Sequence, residues 1–412
     1  MLLVTEDATI ATSAIGDAAK RFNYSLPSEN STTNGASALS GMISQLPIST
    51  KESLIAFRNE NANTYLSEAL LFAETSGTTG APLQIPRTRT DLINGVRNYI
   101  EAYGTVVRSG EDRVAFIHPS ILSPLRDLTV RALQDLSVGV MTLFPIPGLC
   151  GYERIHHILS QNRVTTLLTS PSIVYQILFN FDRLGLKLPG SVNQILVTGE
   201  YFSEASATNI KRLIDRECRI APIIYGANEI GMMMYAERDF SYRAIARDFV
   251  FECMPLEVET DYVDSVAPGS KIGELLVTGL TPTIMPIVRY ATRDVFNFIP
   301  GADGSWTFRH LGRKDDFPIK LVKRNKIDDL LYSLETPIFH YILQYAPSEA
   351  TASIELLLPA SDLPNRFQEE TADKIADIIG TDTRVTVDTE NYDGGFVQGQ
   401  CVSKVSRFNL AA

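Results

Sequence analysis

The sequence predicts an α/β protein whose C-terminal part turns to α+β, and three observations carry that expectation. Short apolar runs at residues 114–117, 138–144, 165–168 and 194–197 alternate with helical stretches such as 172–181 and 203–215, the pattern of a mostly parallel sheet covered on both faces. Beyond Val250 the texture becomes β-rich, with runs at 256–260, 273–278 and 295–299 joined by Pro/Gly turns. The last hundred residues read as a small α+β unit: a strand at 354–358, a helix at 367–379 with Phe367, Thr371, Ile375 and Ile378 on one face, and an alternating strand at 384–388.

The elements before residue 114 follow in order. Residues 1–45 mix Ser, Thr, Asn and Gly and predict irregular structure, with 29–35 the most loop-like piece. Ser49 and Glu52 have capping-box spacing, so a helix is expected to begin there. A short apolar run at 70–73 reads as a buried strand, and Leu92, Val96, Tyr99 and Tyr103 predict one apolar face of a helix over 91–107. The charged connector Gly312-Arg313-Lys314-Asp315-Asp316 marks the expected boundary between a large N-terminal domain, 1–312, and a small C-terminal one, 313–412.

With 412 residues the chain can bury a large core, and 44% apolar against 21% charged residues excludes a disordered chain. A net charge of −11 argues against nucleic-acid binding, which needs a basic face. No apolar run is long enough to cross a bilayer, and the opening Met-Leu-Leu-Val-Thr-Glu-Asp lacks the basic start and apolar core of a signal peptide. Cys150, Cys218, Cys253 and Cys401 form no Cys-x-x-Cys pair, which favours reduced, mostly buried thiols and a cytoplasmic location.

The chemistry is expected around Glu74 to Pro82, which reads Glu-Thr-Ser-Gly-Thr-Thr-Gly-Ala-Pro. Gly77 and Gly80 allow close backbone approach, while Thr75, Ser76, Thr78 and Thr79 offer hydroxyls that can converge on the oxygens of a polyphosphate. It is not the P-loop of NTPases, because no Gly-Lys-Ser/Thr follows. Taken alone it reads equally well as a polar surface loop. Glu229, in the Gly-bracketed turn Tyr225-Gly226-Ala227-Asn228-Glu229-Ile230-Gly231, could hold Mg²⁺, or else be a helix-start carboxylate or a surface charge. Asp294, closing Arg289-Tyr290-Ala291-Thr292-Arg293-Asp294, could accept both hydroxyls of a ribose, or end a solvated turn. Ser403-Lys404-Val405-Ser406-Arg407 reads by default as a basic tail. No Ser/His/Asp or Cys/His pairing suggests a covalent nucleophile.

The order of these clusters resembles the adenylate-forming superfamily of acyl-CoA synthetases and adenylation domains, and within it the phenylacetate–CoA ligase branch. Supporting strings are Leu46-Pro47-Ile48-Ser49-Thr50-Lys51-Glu52, the hydroxyl loop, Val197-Thr198-Gly199-Glu200, the Tyr225–Gly231 turn, Gly273-Glu274-Leu275, Met285 to Tyr290 and Gly312 to Asp316. The resemblance implies a large N-terminal domain with a β-rich subdomain, a small mobile C-terminal domain, and an ATP-dependent ligase. Such an enzyme forms an acyl- or aryl-adenylate and then a thioester with CoA. The alternatives are an adenylating enzyme that loads its acid onto a carrier-protein pantetheine or an amine, and a non-catalytic nucleotide binder.

Carried over by position, the resemblance implies that Ser76, Gly77, Thr78, Thr79 and Gly80 hold the phosphates. Gly199, Glu200, Tyr225 and Gly226 would border the nucleotide with Asn228, Glu229 would hold Mg²⁺, and Asp294 and Arg313 would meet the ribose. Asp315 would be the hinge and Lys404 the adenylation lysine, with His118 and Ala227 lining the pocket for a small acyl or aryl acid. A homodimer also fits the branch. Three departures stand out: Asn228 where relatives usually have Thr, Arg293 where they usually have Gly, and no glycine after Lys320 in the expected loop at 319–325.

Overall fold

The computed structural model describes every residue except 1, 23, 25–34, 75–81, 120–121, 147, 237–238, 257–266, 282–283, 315–316, 360–362, 389–405 and 411–412. The chain forms two compact units. Unit 1 comprises residues 1–106, 120–136 and 224–315, and unit 2 comprises 107–119, 137–223 and 316–412.

Unit 1 opens with β1 (Leu2–Val4), α1 (Ala8–Arg21) and α2 (Ala36–Ile43), where the sequence had suggested irregular structure. The Asp7 side chain caps α1 by accepting from the N–H groups of Thr9 and Ile10. Ala11, Ile15 and Ala19, spaced by four, then meet Leu39, Ile43, Val250 and Val288 in a buried cluster. Small apolar residues among Ser and Thr carry a weak periodic signal, and packing supplies what the pattern lacks.

Then come α3 (Lys51–Glu60) and α4 (Ala62–Glu68). The helix start is off by one from the expected box: Thr50 is the cap and Ser53 its partner, not Ser49 and Glu52. The Ser49 hydroxyl instead donates to Val288 O at 2.6 Å. Strands β2 (Leu71–Glu74) and β3 (Gln84–Arg87) pair antiparallel, with Glu74 opposite Gln84. Helix α5 (Arg89–Gly104) starts on a Thr88/Asp91 capping box and packs on α6 (Leu125–Asp135), where the Tyr103 and Thr129 hydroxyls meet at 2.9 Å.

The β-rich stretch supplies β9 (Gly231–Ala236), β10 (Tyr242–Ala244), β11 (Phe249–Pro255), β12 (Lys271–Gly279), β13 (Tyr290–Pro300) and β14 (Trp306–Arg313). All are joined antiparallel, in the order β1-β11-β12-β13-β14-β10-β9. The strand expected at 256–260 falls outside the described residues apart from Leu256, which follows β11 without belonging to it.

Unit 2 bears out the alternating pattern. Strands β4 (Arg113–Ile117), β5 (Gly139–Leu143), β6 (Thr166–Thr169) and β7 (Gln194–Thr198) form a parallel sheet in the order β5-β4-β6-β7. Helices α7 (Tyr152–Gln161) and α8 (Pro171–Arg183) link β5, β6 and β7, and α9 (Glu204–Ile214) follows β7. Every residue of β6 and β7 is buried, as strands covered on both faces require. The last strand, β8 (Arg219–Ala227), starts in unit 2 and ends in unit 1.

The C-terminal residues of unit 2 add α10 (Leu321–Tyr332), β15 (His340–Ala346), β16 (Thr351–Leu357), α11 (Phe367–Ile379), β17 (Asp382–Asp388) and β18 (Phe408–Leu410). Their sheet runs β17-β16-β15-β18. The expected loop at 319–325 is helical from Leu321 onward. Asn209 of α9 holds Ile338 through two hydrogen bonds, donating to its carbonyl at 2.8 Å and accepting from its N–H at 2.9 Å. Among the described residues no helix is long and apolar enough to cross a membrane.

Candidate nucleotide site

In unit 1 the β2/β3 hairpin fixes both ends of the hydroxyl loop, since Glu74 and Gln84 are paired. The loop residues Ser76, Gly77, Thr78, Thr79 and Gly80 lie outside the described residues, as do Asp315 and Lys404. Beside the hairpin sits the turn between β8 and β9. Tyr225, Gly226 and Ala227 form the last residues of β8 rather than a loop beyond it, and the register slips between Tyr225 and Gly226. A Cβ on Gly226 would stand 2.5 Å from the carbonyl of Gly231, so the strands close up only with glycine there.

Asn228 leads the turn and is half-buried. Its side-chain Nδ2 donates to Glu74 O at 3.1 Å, and its Oδ1 accepts from the Ser123 hydroxyl at 2.7 Å. Its backbone carbonyl accepts from the Arg87 guanidinium at 2.5 Å. Arg87 is buried, which lowers its pKa, and the Asp91 and Glu229 carboxylates oppose that.

Glu229 follows, half-buried, with Tyr290 beside it. Burial pushes the Tyr290 hydroxyl well up, and the charge and hydrogen bond of Glu229 push it further, so Tyr290 stays a neutral donor to that carboxylate. Among the described residues no group of three or more His, Cys, Asp or Glu could cage a metal. A lone carboxylate still suits Mg²⁺, which takes one or two carboxylates and completes its shell with substrate phosphates and water.

Asp294 lies inside β13, not at the end of a solvated turn. Its carboxylate accepts from the Tyr225 hydroxyl at 2.7 Å, stands 3.6 Å from His310 Nε2, and faces Arg313 across the β13/β14 pair. Burial alone would raise its pKa. The neighbouring His310, the Tyr225 hydroxyl and the Arg313 charge outweigh burial and hold it below the usual carboxylate range. Tyr225 is wedged edge-on against Phe296 at 4.8 Å, and Phe296 stacks on His310 at 4.9 Å. Unit 1 therefore brings Tyr225, Asp294 and Arg313 together, and the same turn carries Asn228 and Glu229.

Unit 2 gathers the other assigned residues. Gly199 follows β7 with φ +88°, and a Cβ there would meet His118 Nε2 at 3.3 Å. His118 stacks on Phe116 at 5.7 Å. The Glu200 carboxylate accepts from the Ser172 hydroxyl at 2.5 Å and from the Ser172 N–H at 3.4 Å. It thereby serves the start of α8, where an anion is favoured. Cys218 and Cys253 are buried thiols outside any disulfide, Cys150 is partly covered, and Cys401 lies outside the described residues. Burial raises the Cys218 thiol to about 11, so it is no nucleophile at neutral pH.

Sequence reasoning missed Arg87, Ser123, Tyr290 and His310. Tyr290 stood in a quoted string, but the others carried no local signal. They reach the site from strands and turns 105 and 141 positions away from Asn228 in the cases of Ser123 and Arg87.

No family model matches the chain. Among curated proteins it is 25% identical over 241 residues to the phenylacetate–coenzyme A ligase of Pseudomonas putida, covering 57% of this chain and 52% of that one. With the Escherichia coli K12 phenylacetate–coenzyme A ligase it shares 24% over 253 residues, 59% of this chain and 55% of that one. The matched stretch thus spans about half the length of these relatives. Among solved structures, 2-hydroxyisobutyryl-CoA ligase in the postadenylation state superposes with TM-score 0.71 at 15% identity, covering 89% of this chain and 80% of that one. An acyl acid amido synthetase in complex with 2,4-DB superposes with TM-score 0.66 at 14% identity, over 99% of this chain and 92% of that one. The two sequence relatives are both phenylacetate–coenzyme A ligases, and the structural likeness establishes the fold.

Proposed function

We propose that this chain is an ATP-dependent ligase that activates a small acyl or aryl carboxylic acid as its adenylate and transfers the acyl group to CoA. The observation that carries the reading is the unit 1 cluster itself. An ionised Asp294 is held by Tyr225 and faced by Arg313, and Glu229 sits in the turn that continues from Tyr225, tied to the base of the hydroxyl loop. Asp294 would accept the ribose hydroxyls, and the loop hydroxyls and N–H groups would meet the triphosphate. Gly199 and Glu200 would border the base, and His118 and Ala227 the acid.

In the first half-reaction a carboxylate oxygen attacks the α-phosphorus of ATP, the α–β bridging bond breaks, and pyrophosphate leaves with the electron pair. In the second the thiol sulfur attacks the acyl carbon, AMP leaves, and the thiol proton passes to solvent. Oxide is a hopeless leaving group, whereas AMP is a good one. The protein's task is therefore to stabilise charge on phosphate oxygens, which fixed donors and cations do well. Mg²⁺ held by Glu229 would supply further charge neutralisation there. Asp315 and Lys404 keep the roles of hinge and adenylation lysine in the proposed small domain, 313–412. We assign the enzyme to the cytoplasm, acting as a homodimer.

Pyrophosphate release that needs both ATP and a carboxylic acid, screened across small aryl and acyl acids, tests the reading. A chain that binds ATP but releases pyrophosphate with no acid is instead a nucleotide-binding relative. Thioester and amide formation are then compared with CoA, a carrier-protein pantetheine and amines as acceptors. The fold serves both chemistries among its neighbours, so the kinship to phenylacetate–CoA ligases is what favours the thiol.

A further inference from the structure

We propose that Asn228 is a positioning residue, whose side-chain amide ties the Glu229 turn to β2 and to Ser123 and so sets the orientation of the Glu229 carboxylate. This rests on the reading of Glu229 as the metal-side carboxylate. The amide's orientation is dictated by its partners. A backbone carbonyl can only accept, so Nδ2 must face Glu74 O, which leaves Oδ1 for the Ser123 hydroxyl. Both heads of the side chain are therefore engaged with protein, and the Arg87 guanidinium holds the backbone carbonyl of the same residue. The segment carrying Ser123 is tied in turn to β2, because Glu74 N–H donates to Leu122 O at 2.8 Å.

Three pieces of chain thus converge on one residue, and the next is Glu229. Its freedom is limited further by the Ile230 N–H, which donates to Ala227 O at 3.1 Å and closes the turn. A single hydroxyl at position 228 would have to donate and accept through one oxygen, whereas asparagine meets its two partners with separate donor and acceptor atoms. Such outer-sphere ties fix the geometry of a metal ligand without touching the metal.

The experiment uses the full chain with Asn228→Ala, the isosteric Asn228→Asp, Ser123→Ala, and the Asn228→Ala/Ser123→Ala double variant. It reads binding of a non-hydrolysable ATP analogue by calorimetry with and without Mg²⁺, together with thermal midpoints. Loss of an outer-sphere tie should raise the Mg²⁺ needed for half-maximal binding about 10- to 100-fold in Asn228→Ala. Asn228→Asp loses the donor to Glu74 O and should move the same way, Ser123→Ala should move less, and the double variant no further than Asn228→Ala alone. Binding in the absence of Mg²⁺ should weaken less than binding in its presence.

Equal weakening with and without Mg²⁺ would make Asn228 a direct nucleotide ligand and overturn the inference. So would lowered thermal midpoints with an unchanged Mg²⁺ requirement, or effects of Asn228→Ala and Ser123→Ala that simply add. A wild-type chain that binds no analogue overturns the nucleotide reading itself, and that failure appears before any variant is made.

Discussion

Replacing Tyr225 by Phe removes one hydroxyl and little else. The ring keeps its edge contact with Phe296 at 4.8 Å and its neighbours His310 at 5.5 Å and Tyr242 at 6.3 Å. What goes is the 2.7 Å hydrogen bond to Asp294, a carboxylate with only 18% of its side chain exposed. A hydrogen bond to a charged partner contributes about 1.5–3 kcal/mol. His310 and Arg313 remain beside Asp294, which places the expected loss near the lower end, about 1.5–2 kcal/mol.

The pH dependence has a definite sign. The folded pKa of Asp294 is depressed, so its contribution is present above the ordinary carboxylate value and is lost as pH falls through the folded one. Tyr225→Phe removes one of the causes of that depression. The gap between wild type and variant should therefore be widest near neutrality and should narrow below about pH 4, where the unfolded chain begins to take up the proton first. Urea unfolding at pH 7 and at lower pH measures this, with the midpoint moving and the slope unchanged. A loss under about 0.5 kcal/mol at pH 7, or a gap that ignores pH, refutes the reasoning.

Three further outcomes are expected. Lys404→Ala should lose roughly hundreds-fold in acid-dependent pyrophosphate release while sparing thioester formation from supplied acyl-adenylate; equal loss in both half-reactions removes the assignment. Arg293 holds φ +62° in β13, so Arg293→Gly should gain about 1–2 kcal/mol in chemical denaturation by relieving a left-handed backbone, and a variant less stable than wild type contradicts that. Arg407 pairs with buried Asp328 at 2.9 Å, and that carboxylate also accepts from the Tyr341 hydroxyl. Arg407→Met should therefore cost about 3–5 kcal/mol by stranding the charge, with Asp328→Leu added in the same chain recovering most of it.

The sequence by itself determined the elements whose signal is local. The parallel strands of unit 2 were legible because a strand buried on both faces must be an apolar run, and helix α5 because its tyrosines recur on one face. The order of polar clusters carried the resemblance to adenylate-forming enzymes and singled out Tyr225, Glu229 and Asp294. It misread the setting of Asp294, since a polar string alternating toward a carboxylate looks like a turn until β12 and β14 pair on either side of it. The N-terminal helices escaped because Ala and Ile among hydroxyl residues reveal their face only when Val250 and Val288 cover it.

Tertiary structure alone decided who stabilises whom. Asn228 and Glu74 are 154 positions apart, and Tyr225 and Asp294 are 69 apart. Periodicity and capping are properties of neighbouring residues, whereas these bonds depend on which strands pair and in what register, so only the folded chain turns Asn228 from a substitution into a tie and His310 from a lone histidine into the neighbour of a carboxylate.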